Sequence, residues 1–321
     1  MSELRWHPLM SQWVVTASQR QDRTFLPPEG FCPLCPTQPG GFPSEIPRPS
    51  YDIAVFRNKF PALTLPPAQT GILGSELTPV APDAGICEVI AYTPIHHTTL
   101  AELPLSQIDK LVQVWTQRYQ ELGQEPEIAY VYIFENKGIE IGVTLHHPHG
   151  QIYAYSFIPP NVGLRRVNEG RYLAQHGTNI HTAIIAGEQA DGRRIVADHQ
   201  DWLAFVPFYA RWPYEVHIYP KVQREHLGQL TRAEQQGLAA ILKDVTQRYD
   251  RLWDRSMSYM MGIFQASTDG QPHPETRMNI EFYPPMRTAS RRMYRAAGET
   301  GAGTFVNATL PEETAQALRD A

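Results

Sequence analysis

The same plan runs twice along this chain, and that repetition limits the folds open to it. Apolar residues recur at helical spacing over 105–122 (Ile108, Leu111, Val112, Trp115, Tyr119), and again over 232–253 (Leu238, Ile241, Leu242, Val245, Tyr249). The two helical patterns carry the same tetrapeptide near their ends, Thr116-Gln-Arg-Tyr119 and Thr246-Gln-Arg-Tyr249, and Gly123 supplies a stop for the first. Strand patterns bracket each helix, at 52–56, 86–93, 128–135 and 144–157 in the first half and at 202–207, 215–220, 258–264 and 278–283 in the second. The reading is α+β, with two related halves (1–160 and 161–321), each mainly antiparallel sheet with a long helix packed on it. Residues 1–50 read as irregular, 161–198 as a connector, and the Gly- and Arg-rich tail from Arg287 as a segment that wraps or docks and forms no core.

The length of 321 residues accommodates one large domain or two ordinary ones. A net charge of −5 and the lack of a basic tract argue against binding along a nucleic-acid backbone. They say nothing against a small anionic ligand held by a few local donors. The start, MSELRWHPLMSQW, has no apolar signal core, and no apolar run reaches membrane-spanning length. With three cysteines, Cys32, Cys35 and Cys87, the expectation is a reducing, cytoplasmic setting rather than a disulfide framework.

Cys32-Pro-Leu-Cys35 is half of a tetrahedral zinc site, whose other ligands would be His or Cys elsewhere: the pair His96/His97, or His146-His147-Pro148-His149. A reduced, unligated pair is the plain alternative. A redox pair is weaker, since no thioredoxin-like strand–helix context surrounds it. In a strand His147, His149 and Gln151 share a face. Pro148 cannot donate to a ladder, and Gly150 lets another group come close. Either both histidines bind one metal, or His147 binds it and His149 stays free; the plain alternative is two ordinary surface imidazoles. A neutral imidazole can attack phosphorus and split one displacement into two, provided its other ring nitrogen donates to a carbonyl. Gln151 and the Thr144 hydroxyl are placed to stabilise charge on the phosphoryl oxygens.

Taken together, Ser11-Gln-Trp-Val-Val, Cys32-Pro-Leu-Cys35, Phe56-Arg-Asn-Lys-Phe-Pro-Ala-Leu63, Thr93-Pro-Ile-His96, Phe134-Glu-Asn-Lys-Gly138, His147-Pro-His-Gly-Gln151 and Glu281-Phe-Tyr-Pro-Pro285 resemble, in order, the galactose-1-phosphate uridylyltransferases of the histidine triad-like superfamily. The resemblance implies double displacement: His149 takes the uridylyl group from UDP-glucose, and galactose 1-phosphate then receives it. It implies zinc on Cys32, Cys35, His96 and His147. It implies nucleotide contacts from Arg20, Arg23, Asn58, Phe60, Asn136, Thr144 and Gln151, and a homodimer with shared active sites. For Asn58 and Asn136 the plain alternative is turn formation, and for Arg20 and Arg23 a solvated loop.

Two departures stand out. The family's second metal site uses a Glu and three His, but the matching positions here read Arg165, Phe264, Asn279 and Glu281, so one zinc per chain is expected. The hexose-phosphate end lacks the usual Tyr, leaving Arg292, Arg295 and Glu299 as candidates to meet phosphate and sugar hydroxyls. The rival readings are a nucleoside-diphosphate-sugar or dinucleoside-polyphosphate phosphorylase using the same His, a hydrolase, and a non-catalytic zinc- and nucleotide-binding module.

Overall fold

The two long amphipathic helices pack against each other and into one shared core beneath a continuous sheet. The computed structural model describes residues 2–23, 27, 28 and 30–321, and the side chains of residues 22 and 23 lie outside that description. Strands β1 (Ser2–His7) and β2 (Gln12–Ala17) form a hairpin, followed by β3 (Ala54–Arg57), β4 (Val80–Pro82) and β5 (Gly85–Ala91). Next come α1 (Leu105–Leu122), β6 (Tyr130–Lys137) and β7 (His149–Tyr155), then α2 (Pro160–His176), α3 (Ile180–Asp191) and β8 (Ile195–Asp198). The second half holds β9 (Trp202–Phe205), β10 (Val216–Pro220), α4 (Arg232–Arg251), β11 (Tyr259–Phe264) and β12 (Asn279–Tyr283). Helices α5 (Ala297–Thr300) and α6 (Pro311–Asp320) close the chain.

Among the described residues the main sheet has nine strands in the order β3-β5-β7-β6-β11-β12-β10-β9-β8, and a small sheet runs β2-β1-β4. The chain order β5–α1–β6–β7 recurs as β10–α4–β11–β12, and the spatial order β5-β7-β6 reappears mirrored as β11-β12-β10. The halves meet at β6 and β11, paired antiparallel with Phe134 opposite Gly262. The strand with the His-Pro-His sequence, β7, therefore has β12 as its counterpart. The repeated tetrapeptide has a repeated job: Thr116 Oγ1 donates to Val112 O at 2.9 Å, and Thr246 Oγ1 to Leu242 O at 2.8 Å. Each hydroxyl is thus satisfied on its own helix where burial would otherwise penalise it.

The structure departs from the sequence expectation in four places. Residues 161–198 are not a bare connector but hold α2, α3 and β8. The described buried positions of α2 are Val162 and Glu169, and those of α3 are His181, Ile185 and Glu188, so a mostly polar buried face hides the apolar period. The strand expected over 144–157 starts only at His149. Ahead of it the backbone turns through a short 3-10 segment between Gly138 (φ 102°) and Gly142 (φ 82°), conformations that favour glycine, and Pro148 has no N–H for a ladder. The first fifty residues contain the β1–β2 hairpin. The tail does enter the core, because α6 docks Ala315 and Leu318 into it and Glu312 pairs with Arg194 at 2.6 Å.

Candidate active site

Four side chains from three separate stretches converge beside the start of β7. One ligand atom from each of Cys32, Cys35, His96 and His147 lies within 4.8 Å of the others. Cys35 Sγ is 3.4 Å from His96 Nδ1 and 3.5 Å from His147 Nδ1. Zinc bond lengths at tetrahedral angles put S and N about 3.6 Å apart, so the set fits such an ion. The other nitrogen of His147, Nε2, donates to Thr93 O at 2.7 Å, with the Tyr51 hydroxyl 2.9 Å away. That donation leaves the Nδ1 lone pair facing the cysteines. Burial holds the His147 imidazole neutral, down to about 4. Burial and the neighbouring Cys32 push the Cys35 thiol up to about 11. Two thiolates here need a cation, and the donor chemistry suits zinc. His97, the other candidate of its pair, is stacked edge-on against His96 and stands outside the cluster.

His149 does something different from His147. Its Nδ1 donates to His147 O at 2.8 Å, so Nε2 keeps its lone pair. Burial depresses its pKa and favours the neutral ring. The ring lines a cavity of about 440 Å³ whose wall also includes Asn136, Lys137, Glu135 and, from the second half, Arg255 and Ser258. One residue along the same face, Gln151 is buried and its Oε1 has no hydrogen-bond partner among the described residues. An unpaired buried acceptor two residues along the strand from His149 is suited to a ligand that brings a donor.

Other expected residues fall in varied places. Arg20 Nη1 donates to the Tyr153 hydroxyl at 3.0 Å and so reaches the strand that carries His149. Arg23 lies outside the described side chains. Asn58 Oδ1 accepts from Phe60 N at 2.9 Å, the turn-forming alternative, and Phe60 itself is exposed. Thr144 sits in the irregular approach to β7 and does not line the cavity, whereas its neighbours Val143 and Leu145 do. Arg292 reaches the cavity rim, donating to Glu140 O at 2.5 Å. Arg295 stacks on Phe305, and Glu299 caps α5 through Ala296 N at 2.9 Å, so neither lines its own chain's cavity. Glu135, Tyr92 and Tyr51 had no assigned role in the sequence, although Glu135 stands inside the quoted Phe-Glu-Asn-Lys-Gly run. A lone carboxylate in an apolar strand was the available signal.

On the counterpart strand the four matching positions also meet, but around a guanidinium. Arg165 donates to Glu281 at 2.7 Å and to Asn279 at 2.9 Å, and lies over the Phe264 ring at 4.1 Å. Burial raises the Glu281 carboxyl, but the charges of Arg165 and His217 outweigh it and hold the group well below the usual carboxylate range. Phe and Arg are not metal donors, so these residues do not fit the second ion of the resemblance.

A doubled α+β sheet with a free imidazole on its wall, braced by a Cys/His cluster, defines a group-transfer enzyme of the nucleotidyltransferase class. The family model described as galactose-1-phosphate uridyl transferase, N-terminal domain, matches residues 1–159, and that for the C-terminal domain matches 166–319. The galactose-1-phosphate uridylyltransferase of Thermotoga maritima is 36% identical over 321 residues, covering 100% of this chain and 98% of that one. That of Haemophilus influenzae is 31% identical, covering 98% and 93%. A solved uridylyltransferase superposes with a TM-score of 0.89 at 33% identity, covering 99% and 97%. The chain belongs to the galactose-1-phosphate uridylyltransferase family.

Proposed function

We propose that this enzyme moves the uridylyl group of UDP-glucose to galactose 1-phosphate through a covalent intermediate on His149. The observation that carries the reading is the 2.8 Å bond from His149 Nδ1 to His147 O, which leaves Nε2 as the free base on the cavity wall. In the first step Nε2 attacks the α-phosphorus, a P–N bond forms, and the P–O bond to the β-phosphate breaks, releasing glucose 1-phosphate. In the second, a phosphate oxygen of galactose 1-phosphate attacks the same phosphorus and the P–N bond breaks. Gln151 would meet the phosphoryl oxygens through its amide N–H, Asn136 on the cavity wall would meet the nucleotide, and Arg20 steadies the strand from Tyr153. Zinc bound by Cys32, Cys35, His96 and His147 would be structural, holding in place the residue whose carbonyl orients His149. One such ion per chain is our reading, with Arg165 serving as the cation of the second half.

The halves are read as 1–160, with the zinc site and nucleophile, and 161–321, with the acceptor tail. The resemblance points to a homodimer with shared active sites, in which Arg295 and Glu299 would serve the partner's site while Arg292 stays at the rim of its own cavity. A reducing cytoplasm suits the two thiolates. Among the described residues no helix is long and apolar enough to cross a membrane.

The test is intact-mass analysis after mixing enzyme with UDP-glucose alone. We expect a uridylyl increment on the native chain and none on His149→Asn, with zinc content equal in both. Parallel runs with ADP-glucose, and with phosphate as acceptor, separate the phosphorylase alternative. No increment with any nucleotide sugar would sink the reading.

A further inference from the structure

A carboxylate that the chemistry above leaves unused lies on the strand paired with the one that carries His149. Glu135 on β6 is buried and belongs to the same cavity wall as His149. It accepts from the Tyr92 hydroxyl at 3.2 Å and the Tyr259 hydroxyl at 3.1 Å. Tyr92, fully buried just beyond β5, holds the nucleophile strand at two points. Its N–H donates to Pro148 O at 3.0 Å, and its hydroxyl presses on Gly150 so closely that a Cβ there would sit 2.2 Å away. Thus the bracing runs from Glu135 through Tyr92 to the residues on either side of His149.

A buried carboxylate is costly unless compensated, and two neutral phenols compensate it only in part. The other groups facing it are Lys137 on its own strand and, through Lys137, Asp250 of α4, which holds that ammonium at 3.0 and 3.3 Å. Burial raises the Glu135 carboxyl from 4.5 to about 7, partly offset by Lys137 and the two hydroxyls. An apolar residue would avoid that cost, so retaining the carboxylate points to a use for it.

We propose that Glu135 is a positioning residue for the transfer, fixing the Tyr92 hydroxyl against Gly150 and with it the backbone that aims His149. This rests on His149 being the nucleophile. Ionised, Glu135 accepts both hydroxyls; protonated, one oxygen becomes a donor and the clamp loosens. Displacing the nucleophile by a fraction of an ångström is enough to slow a transfer that depends on alignment.

The experiment is single-turnover uridylylation by UDP-glucose across pH 5.5–9, a range of about 1.5–2 pH units either side of that carboxyl. It compares the native chain, Glu135→Gln and Tyr92→Phe, with UDP-glucose affinity and zinc content measured alongside. Both variants should bind UDP-glucose and zinc as the native chain does but form the adduct about tenfold more slowly or worse. The native rate should fall as pH drops through about 7, and Glu135→Gln should lack that fall. Should Glu135→Gln misfold by circular dichroism, Tyr92→Phe, which keeps the carboxylate, decides on rate alone. Native adduct formation with variants of unchanged rate and pH profile would overturn the positioning role and leave the nucleophile intact. A native chain that forms no adduct removes both.

Discussion

Between His149 and Gln151 the strand carries no side chain, and the reason is a hydroxyl. An alanine Cβ at position 150 would meet Tyr92 Oη at 2.2 Å and Phe134 O at 3.1 Å. Neither neighbour can yield freely, since Tyr92 is fully buried and Phe134 O belongs to the strand paired with β7. Gly150→Ala should therefore displace the strand and slow uridylylation by about 100-fold, with zinc retained. Gly150→Ala combined with Tyr92→Phe relieves the shorter contact and should recover part of the rate; single-turnover kinetics on the three proteins checks this. An alanine variant with native kinetics would show that the close approach does not matter. At this scale the sequence was most informative where chemistry is local, as in Cys32-Pro-Leu-Cys35 and His147-Pro-His149. It was silent on Glu135, whose partners lie 43 and 124 residues away in the chain.

At the scale of elements, local signals decide how well each helix starts. Helix α4 opens with a reciprocal capping box: Glu234 N donates to Thr231 Oγ1 at 3.3 Å and Thr231 N to Glu234 at 2.7 Å. Helix α1 follows Pro104 and has no side-chain cap, so its stability depends on the buried face from Ile108 to Tyr119. Thr231→Ala should cost about 1 kcal/mol and lower Tm by about 2 °C. Adduct formation should stay at the native rate, since the cap is remote from the cavity. A thermal melt alongside the mass assay measures both, and a melt unchanged within error would mean the box contributes nothing. Helices α2 and α3 were invisible to pattern reading for a related reason. Their inward residues pair with each other and with the sheet, as His181 does with Glu169 at 2.9 Å and Arg165 with Glu281 at 2.7 Å. Buried hydrogen-bonded and ionic pairs supply there what apolar periodicity supplies in α1 and α4.

Across the whole molecule the duplication has been used asymmetrically. In the first half the site beside β7 has two thiol and two imidazole donors within 4.8 Å. In the second, the equivalent strand is served by the guanidinium of Arg165. Elemental analysis of the purified enzyme should accordingly give about one zinc per chain. Cys35→Ser should lower that markedly, with loss of stability, because the remaining donors cannot complete a tetrahedral set. Arg165→Met should leave zinc content unchanged while destabilising the fold by about 3–5 kcal/mol, the cost of stranding the buried Glu281 carboxylate. Two ions per chain, or an ion gained when Arg165 is removed, would contradict this division of labour.

The amino-acid order alone determined the doubled plan, the α+β class and the short motifs, because side-chain period and ligand spacing are properties of a few adjacent residues. Only the folded chain decided which nitrogen of His147 and of His149 is free, that Arg165 bonds Glu281 and Asn279 on the counterpart strand, and that Tyr92 and Glu135 lie against the strand that carries His149. Those outcomes depend on burial and on angles between groups far apart in sequence, and neither exists until the two halves close on one another along β6 and β11.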